Sequence, residues 1–202
     1  MQHYFIEKEH KKSDYFIFED EILDKKFKFK SVDSVFSKNK IDDGTRVLLN
    51  TISRHCELGG DVLDFGCGLG VISIVLKTIF PNINIDACDI NGTAVQLTKE
   101  NSKLNNTAIN NVIKSDIYEN IDKNYDYIVT NPPIKVGKQI LFKIMTDSFS
   151  HLKNGGEIIL VIRKSHGQES LKKHLELIFG NAEILKRDKG YYIMKSVKNN
   201  RG

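Results

Sequence analysis

The stretch VTNPPIKVGK (129–138) places an asparagine and two adjacent prolines directly after an apolar run, YDYIV, in a chain that holds only three prolines. A Pro-Pro pair lacks two backbone N–H donors and cannot continue a sheet ladder. The run therefore reads as a buried strand that stops at Asn131, with Pro132 and Pro133 holding the following residues stiff. The end of a buried strand is where α/β proteins place reacting groups.

A second stretch, DFGCGLG (64–70), follows another apolar run and opens an apolar helix. Gly66, Gly68 and Gly70 let the backbone turn sharply and let a ligand come close. The spacing is GxGxG, and Val71 occupies the position where a dinucleotide fingerprint takes Gly or Ala. In DIN (89–91), Asp89 ends the next strand, where a ribose-binding acid belongs. That acid supports an adenosine ligand without choosing between mononucleotide and dinucleotide folds. Asp64 reads two ways, as a structural carboxylate capping loop N–H groups or as a neighbour of the ligand's amino group. Asp116 in SD (115–116) is positioned either to accept from an adenine amino group or to sit solvated in a turn.

The elements that must position these residues follow from periodicity. DVLDF (61–65), INIDACD (83–89), NNVIKSD (110–116), YDYIVTN (125–131) and EIILVIR (157–163) read as strands. Helices are expected at DDGTRVLLNTISRH (42–55), VISIVLKTIF (71–80), GTAVQLTKENSKLNN (92–106), KQILFKIMTDSFSHL (138–152) and SLKKHLELIFG (170–180). LKNGG (152–156) reads as the glycine stop of the fourth of these helices. AEILKRDKGYYIMKSV (182–197) reads as a closing hairpin around Asp188–Gly190. Alternating β and α with short links implies an α/β fold, a doubly wound and mostly parallel sheet. Residues 1–31 differ: HYFIE, DYFIFEDEIL and KFKFKSV alternate at period two and suggest a small N-terminal β extension. In KKFKFK, Lys26, Lys28 and Lys30 fall on one side and Phe27 and Phe29 on the other. That side is either a solvated strand face or a basic surface for phosphate. Residues 32–40 read as a loop, 32–197 as the main domain, and 198–202 as a disordered tail.

With 202 residues the chain suits one α/β domain, and a formal charge of +4 is compatible with a polyanionic partner without requiring one. Cys56, Cys67 and Cys88 are odd in number and lack CxxC spacing, which suits a reducing cytosol and argues against disulfides or a zinc site. The six histidines do not cluster as metal ligands. No apolar run approaches membrane-spanning length and no leader is evident. The expectation is a cytoplasmic protein without metal, and a monomer, since no long exposed apolar stripe stands out.

GCGLG, an acid ending the second strand, SD ending the third and NPP ending the fourth together resemble a class I S-adenosylmethionine (SAM) methyltransferase, with its Rossmann-like sheet. NPP narrows the resemblance to the amino-methyltransferases. VDSVFSKNKIDDGTRVLL, VLDFGCGLGVI, DINGTAVQLTKEN and NPPIKVGK resemble the RsmC-like family, which methylates the exocyclic amine of a guanine in small-subunit (16S) ribosomal RNA. The resemblance spans roughly residues 32–197 and corresponds to the catalytic half of the larger members. It implies SAM as cofactor and ribosomal RNA or the small ribosomal subunit as partner. It also implies Thr45, Asp64, Gly66, Gly68, Gly70, Asp89, Ile90, Asp116, Ile117 and Asn131 on the cofactor side. Asn131, Pro132, Pro133 and Ile134 become the catalytic loop. Gly44, beside Thr45, falls near the methionine end, although the DDGT stretch reads equally as a helix N-cap. One position departs from the family: NPPF is usual and residue 134 is Ile, which stacks on a base less well than an aromatic. Phe36 is a candidate to supply an aromatic from the preceding loop.

A guanine amine is a poor nucleophile because its lone pair is delocalised into the ring. The Asn131 side-chain oxygen and the Pro132 carbonyl can both accept from that amine, and their rigidity fixes them in advance. Lys135, Lys138, Arg163 and Lys164 are expected to ring the pocket mouth and meet phosphate, or else to be ordinary solvated charges. A protein glutamine amide methyltransferase would use the same loop chemistry. A SAM- or RNA-binding module without catalysis would leave the NPP loop idle.

Overall fold

A computed structural model describes residues 11, 14–32, 40–133 and 136–199. HYFIE, Phe36, most of the 32–40 loop, Ile134, Lys135 and the end of the tail lie outside these residues. Five strands of the main sheet are parallel: β3 (Asp61–Phe65), β4 (Asn84–Asp89), β5 (Asn111–Lys114), β6 (Tyr125–Thr130) and β7 (Leu152–Arg163). The closing hairpin is β8 (Glu183–Asp188) and β9 (Tyr191–Val197), with β9 antiparallel to both β7 and β8. Among the described residues these seven strands stand in the order β5-β4-β3-β6-β7-β9-β8. The separate pair β1 (Tyr15–Ile22) and β2 (Lys25–Val32) forms the N-terminal extension.

Helices cover both faces, so the parallel strands are apolar on both sides. In β3, Val62 faces the core beneath α1 (Asp43–His55), α2 (Val71–Ile79) and α3 (Gly92–Leu104). Leu63 and Phe65 face the opposite core, beneath α4 (Lys138–Ser148) and α5 (Gln168–Phe179). The alternation is the period-two geometry of a strand.

One expected boundary is wrong. The fourth helix does not run to Leu152: α4 ends at Ser148, and LKNGG belongs to β7. Leu152 pairs with Tyr125, and the register then shifts before Tyr127 meets Glu157. Gly155 takes a positive φ of 78°, and a Cβ on Gly156 would lie 2.9 Å from the carbonyls of Lys153 and Tyr125. The two glycines thus make a strand irregularity, a role as dependent on missing Cβ atoms as a helix stop. Smaller differences are that α5 begins at Gln168 and that β5 ends at Lys114, leaving Ser115 and Asp116 in the turn beyond.

The β1–β2 hairpin does not stand apart. Phe27, Phe29 and Val32 are buried in the same core as α1 and α2. The lysine face of β2 is largely neutralised: Lys28 pairs with Glu19 at 3.0 Å and Lys30 with Glu100 at 2.7 Å. Asn101 of α3 and its C-cap residue Asn105 line the outer edge of β2. Asn105 Oδ1 accepts from Lys28 N–H at 3.0 Å and its Nδ2 donates to the Lys28 carbonyl at 2.7 Å. Asn101 does the same at Lys30, at 2.7 and 3.0 Å. Four residues apart, the two amides lie on one helix face and stand in for a neighbouring strand.

At the amino ends of the parallel strands lies a charge network. Asp61 binds Lys123 and Lys153, each at 2.8 Å, and Lys153 also binds Asp126 at 2.8 Å. Asp86, buried, accepts from Tyr125 Oη at 3.0 Å and Asn111 Nδ2 at 2.8 Å. Among the described residues no helix is long and apolar enough to cross a membrane.

Candidate active site

The carboxyl ends of the strands share one rung. Ile113, Cys88, Phe65, Thr130 and Leu160 are paired in sequence across the sheet. Asp89, Gly66 and Asn131 each follow that rung by one residue and so come to one edge. Gly66 and Cys67 both donate their N–H to the Cys88 carbonyl at 2.9 Å, and Thr130 Oγ1 donates to the Phe65 carbonyl at 2.8 Å. Ser115 N–H donates to the Asp89 carbonyl at 3.0 Å, bringing Asp116 and Ile117 alongside.

The three loop glycines do different work, although all have positive φ, at 75°, 55° and 79°. A Cβ on Gly66 or Gly68 would meet nothing within 4 Å. A Cβ on Gly70 would meet Thr98 Cγ2 at 2.8 Å. Gly66 and Gly68 thus leave an open cradle, while Gly70 lets α2 and α3 approach.

Two carboxylates frame the cradle. Asp89 accepts from Gly68 N–H and Asn91 N–H, both at 2.9 Å, and burial raises its pKa against those bonds. Asp64 is fully buried; its Oδ2 accepts from Ser73 N–H at 3.0 Å and from the Ser73 hydroxyl. Its Oδ1 has no partner among the described residues. Burial raises its pKa to about 7, opposed by the Ser73 bonds and assisted by the nearby charge of Asp89. Both readings of Asp64 thus retain an atom: one oxygen caps α2, and the other is left over for a donor. Open glycines, a carboxylate beside them and an orphaned buried oxygen are what a nucleoside carrying an ammonium group would satisfy.

Asn131 is tied to the start of α1. Its Nδ2 donates to Asp42 Oδ1 at 3.1 Å and to Thr45 Oγ1 at 2.9 Å. Asp42 is the N-cap of α1: Oδ1 accepts from Thr45 N–H at 3.0 Å and Oδ2 from the Thr45 hydroxyl at 2.6 Å. The DDGT stretch is therefore a cap, and Thr45 lies buried behind Asn131. Gly44 lies there too; a Cβ on it would stand 2.9 Å from the Tyr191 ring. Asp42 and Tyr191 were not singled out in the sequence. Asp42 opens the DDGT stretch and is the cap that stretch suggests; its bond to Asn131 has no local signature in the sequence.

Of the other expected residues, Pro132 is buried, Pro133 and Ile90 are half-buried, and Asp116 is exposed. Ile117 is half-buried with φ 50°, unusual for a β-branched residue. Lys138, Arg163 and Lys164 are exposed. Arg163 lies over the Tyr191 ring at 5.5 Å and Lys138 over Phe142 at 5.0 Å. Among the described residues no group of three or more His, Cys, Asp or Glu could hold a metal. Cys67 and Cys88 are buried thiols whose pKa values burial raises, so both stay protonated.

Comparison with known proteins decides the family. The model of the methyltransferase small domain matches residues 26–195. The chain belongs to the methyltransferase small domain family. In fold and family it is an RsmC-like class I methyltransferase. It is 36% identical over 199 residues to the uncharacterized protein YbxB of Bacillus subtilis, covering 98% of each chain. It is 39% identical over 136 residues to ribosomal RNA small subunit methyltransferase C of Aliivibrio fischeri, covering 65% of this chain and 39% of that one. The corresponding Buchnera aphidicola protein is 35% identical over 172 residues, covering 83% and 51%. The chain thus spans about half or less of the length of those two ribosomal RNA methyltransferases. Among solved structures, the 16S rRNA N2 methyltransferase RsmC of T. thermophilus, in complex with AdoMet and guanosine, superposes with a TM-score of 0.83 at 24% identity, covering 92% of this chain and 51% of that one. A ribosomal protein L11 methylase from Lactobacillus delbrueckii gives 0.69 at 20% identity, with 82% of each covered.

Proposed function

We propose that this chain transfers a methyl group from SAM to the exocyclic amine of a guanine in small-subunit ribosomal RNA. The observation that carries the reading is Asn131. Both hydrogens of its amide nitrogen go to acceptors at the start of α1, on the cap residue Asp42 and on Thr45. Among the described residues nothing donates to its Oδ1. That oxygen is the acceptor an amine needs, at the edge shared by Gly66 and Asp89.

Bound SAM would supply a methyl group on a positively charged sulfur, which leaves as a neutral thioether while the methylated amine gives up one proton to water. The chain's own residues do the positioning. Asp89 accepts the ribose hydroxyls, and Gly66 and Gly68 let the backbone close on the ligand. Asp64 Oδ1 faces the ammonium. Asp116, with Ile117 beside it, takes the adenine amino group, and Ile90 packs on the ring. Asn131 Oδ1 and the Pro132 carbonyl accept the two amine hydrogens. This turns the nitrogen lone pair toward the methyl and favours the pyramidal geometry of attack. Arg163, Lys164 and Lys138 meet phosphate at the rim. The small-subunit RNA assignment is supported by the names of the relatives, and the guanine by the guanosine in the T. thermophilus RsmC complex.

The test is methyl transfer from labelled SAM to small subunits from cells lacking the protein, with nucleoside analysis. N2-methylguanosine that falls on the order of 10²–10³-fold with Asn131→Ala is expected. Label in protein rather than RNA would move a glutamine amide to the front.

A further inference from the structure

We infer that Asp42 is a positioning residue, whose ionised carboxylate sets the hydrogen-bond direction through Thr45 and so fixes which end of the Asn131 amide faces the substrate. The inference rests on the reading of Asn131 Oδ1 as the amine's acceptor.

The direction of each bond follows from chemistry. A carboxylate has only acceptors. The Thr45 hydroxyl, 2.6 Å from Asp42 Oδ2, must therefore donate to it. Its one hydrogen is then spent, and toward Asn131, 2.9 Å away, it can only accept. Asp42 Oδ1, 3.1 Å from Asn131, can likewise only accept. Two acceptors side by side demand the amide nitrogen. Turning the amide would set its oxygen against a hydroxyl lone pair and a carboxylate, with no donor for either. The arrangement thus gives Asn131 one orientation, Nδ2 inward and Oδ1 outward, before any substrate binds.

Asp42 also caps α1, so capping and positioning must be separated. Asn caps a helix about as well as Asp. In Asp42→Asn, the amide oxygen can still accept from Thr45 N–H. The atom replacing Oδ2 becomes an NH₂ group, and the Thr45 hydroxyl must then accept from it. That hydroxyl's hydrogen is now free to point at Asn131, where it asks for the Asn131 oxygen, while the oxygen kept at the Oδ1 position still asks for the nitrogen. One carboxylate-to-amide change thus removes the single enforced orientation while keeping the cap.

The experiment compares Asp42→Asn, Thr45→Val, Thr45→Ser and Asn131→Ala with the natural chain, in the small-subunit methyl-transfer assay, in SAM titrations and in thermal unfolding. A substrate-independent readout is the Asn131 side-chain amide resonance in the SAM-bound protein. The expected result for Asp42→Asn is a fall in kcat of about 30-fold or more, with SAM Kd within about twofold and an almost unchanged Tm. Thr45→Val should fall similarly and Thr45→Ser should recover most of the rate. The slowly exchanging Asn131 amide protons should be lost in Asp42→Asn and Thr45→Val and kept in Thr45→Ser. A purely structural cap would move Tm and leave these resonances in place. A natural rate and an unchanged Asn131 resonance in Asp42→Asn, beside an inactive Asn131→Ala, would overturn the inference and leave the function intact. An active Asn131→Ala removes the functional reading instead, and the resonance alone then decides whether Asp42 orients the amide.

Discussion

Asn101 binds both backbone polar groups of Lys30, accepting from the N–H at 2.7 Å and donating to the carbonyl at 3.0 Å, and its Nδ2 also reaches the Leu69 carbonyl at 2.9 Å. One fully buried amide thus joins the N-terminal hairpin to the glycine loop. Asn101→Ala should leave three backbone groups unpaired and lower stability by about 2–3 kcal/mol, roughly 5–10 °C in Tm. Asn105→Ala, whose partner Lys28 is exposed, should cost clearly less. Thermal unfolding of the two variants side by side checks the order.

The loop glycines should separate by phenotype. Gly68→Ala puts a Cβ into open space at φ 55°, so SAM affinity should fall at least about tenfold, about 1.4 kcal/mol, with a small loss of stability. Gly70→Ala drives a Cβ to 2.8 Å from Thr98, so its main effect should be on Tm. Titration and unfolding of both variants test this. Equal losses of affinity without destabilisation would remove the packing role of Gly70.

Asp64 gives a pH dependence with a definite sign. Burial raises its pKa to about 7, so the free protein holds a proton there that the unfolded chain has lost. Its contribution to stability is present below the unfolded carboxylate range and is lost as pH rises through about 7. The cationic ammonium of SAM favours the ionised form. SAM affinity should therefore level off above pH 7 and weaken toward pH 6. Calorimetric titrations of the natural chain and Asp64→Asn would show the slope in the first and its absence in the second.

The network at the amino ends should affect stability alone. Lys123 and Lys153 hold the Asp61 carboxyl down, to about 2. The stability this lends is present above the unfolded carboxylate range and lost as pH falls through about 2. Both lysines are partly exposed, so Lys153→Met should cost only about 1 kcal/mol or less at neutral pH. Its methyl-transfer rate should match the natural chain's.

The alternation of strands and helices was legible because hydrophobic periodicity is local information. DVLDF, VISIVLKTI and NIDACD announce themselves by which neighbours are apolar. The glycine loop, Asp89 and Asn131 were legible because each ends such a run. LKNGG was misread because a pair of glycines ends a helix and kinks a strand for the same physical reason. The ties that aim the site were not legible. Asp42 meets Asn131 across 89 residues and Asn101 meets Lys30 across 71, and no periodicity carries that information. Residue 134, where the sequence departs from the NPPF pattern, lies outside the described residues.

The ion pairs of Asp61 sit at the opposite ends of the strands from Gly66 and Asn131. Five extended residues put about 17 Å between them, and effects of mutations so far apart tend to add. The sheet is therefore laced at one end and open at the other. Loops at the open end can change without disturbing the laced end, which holds the scaffold's margin against unfolding. A fold arranged this way can change its clientele without being rebuilt.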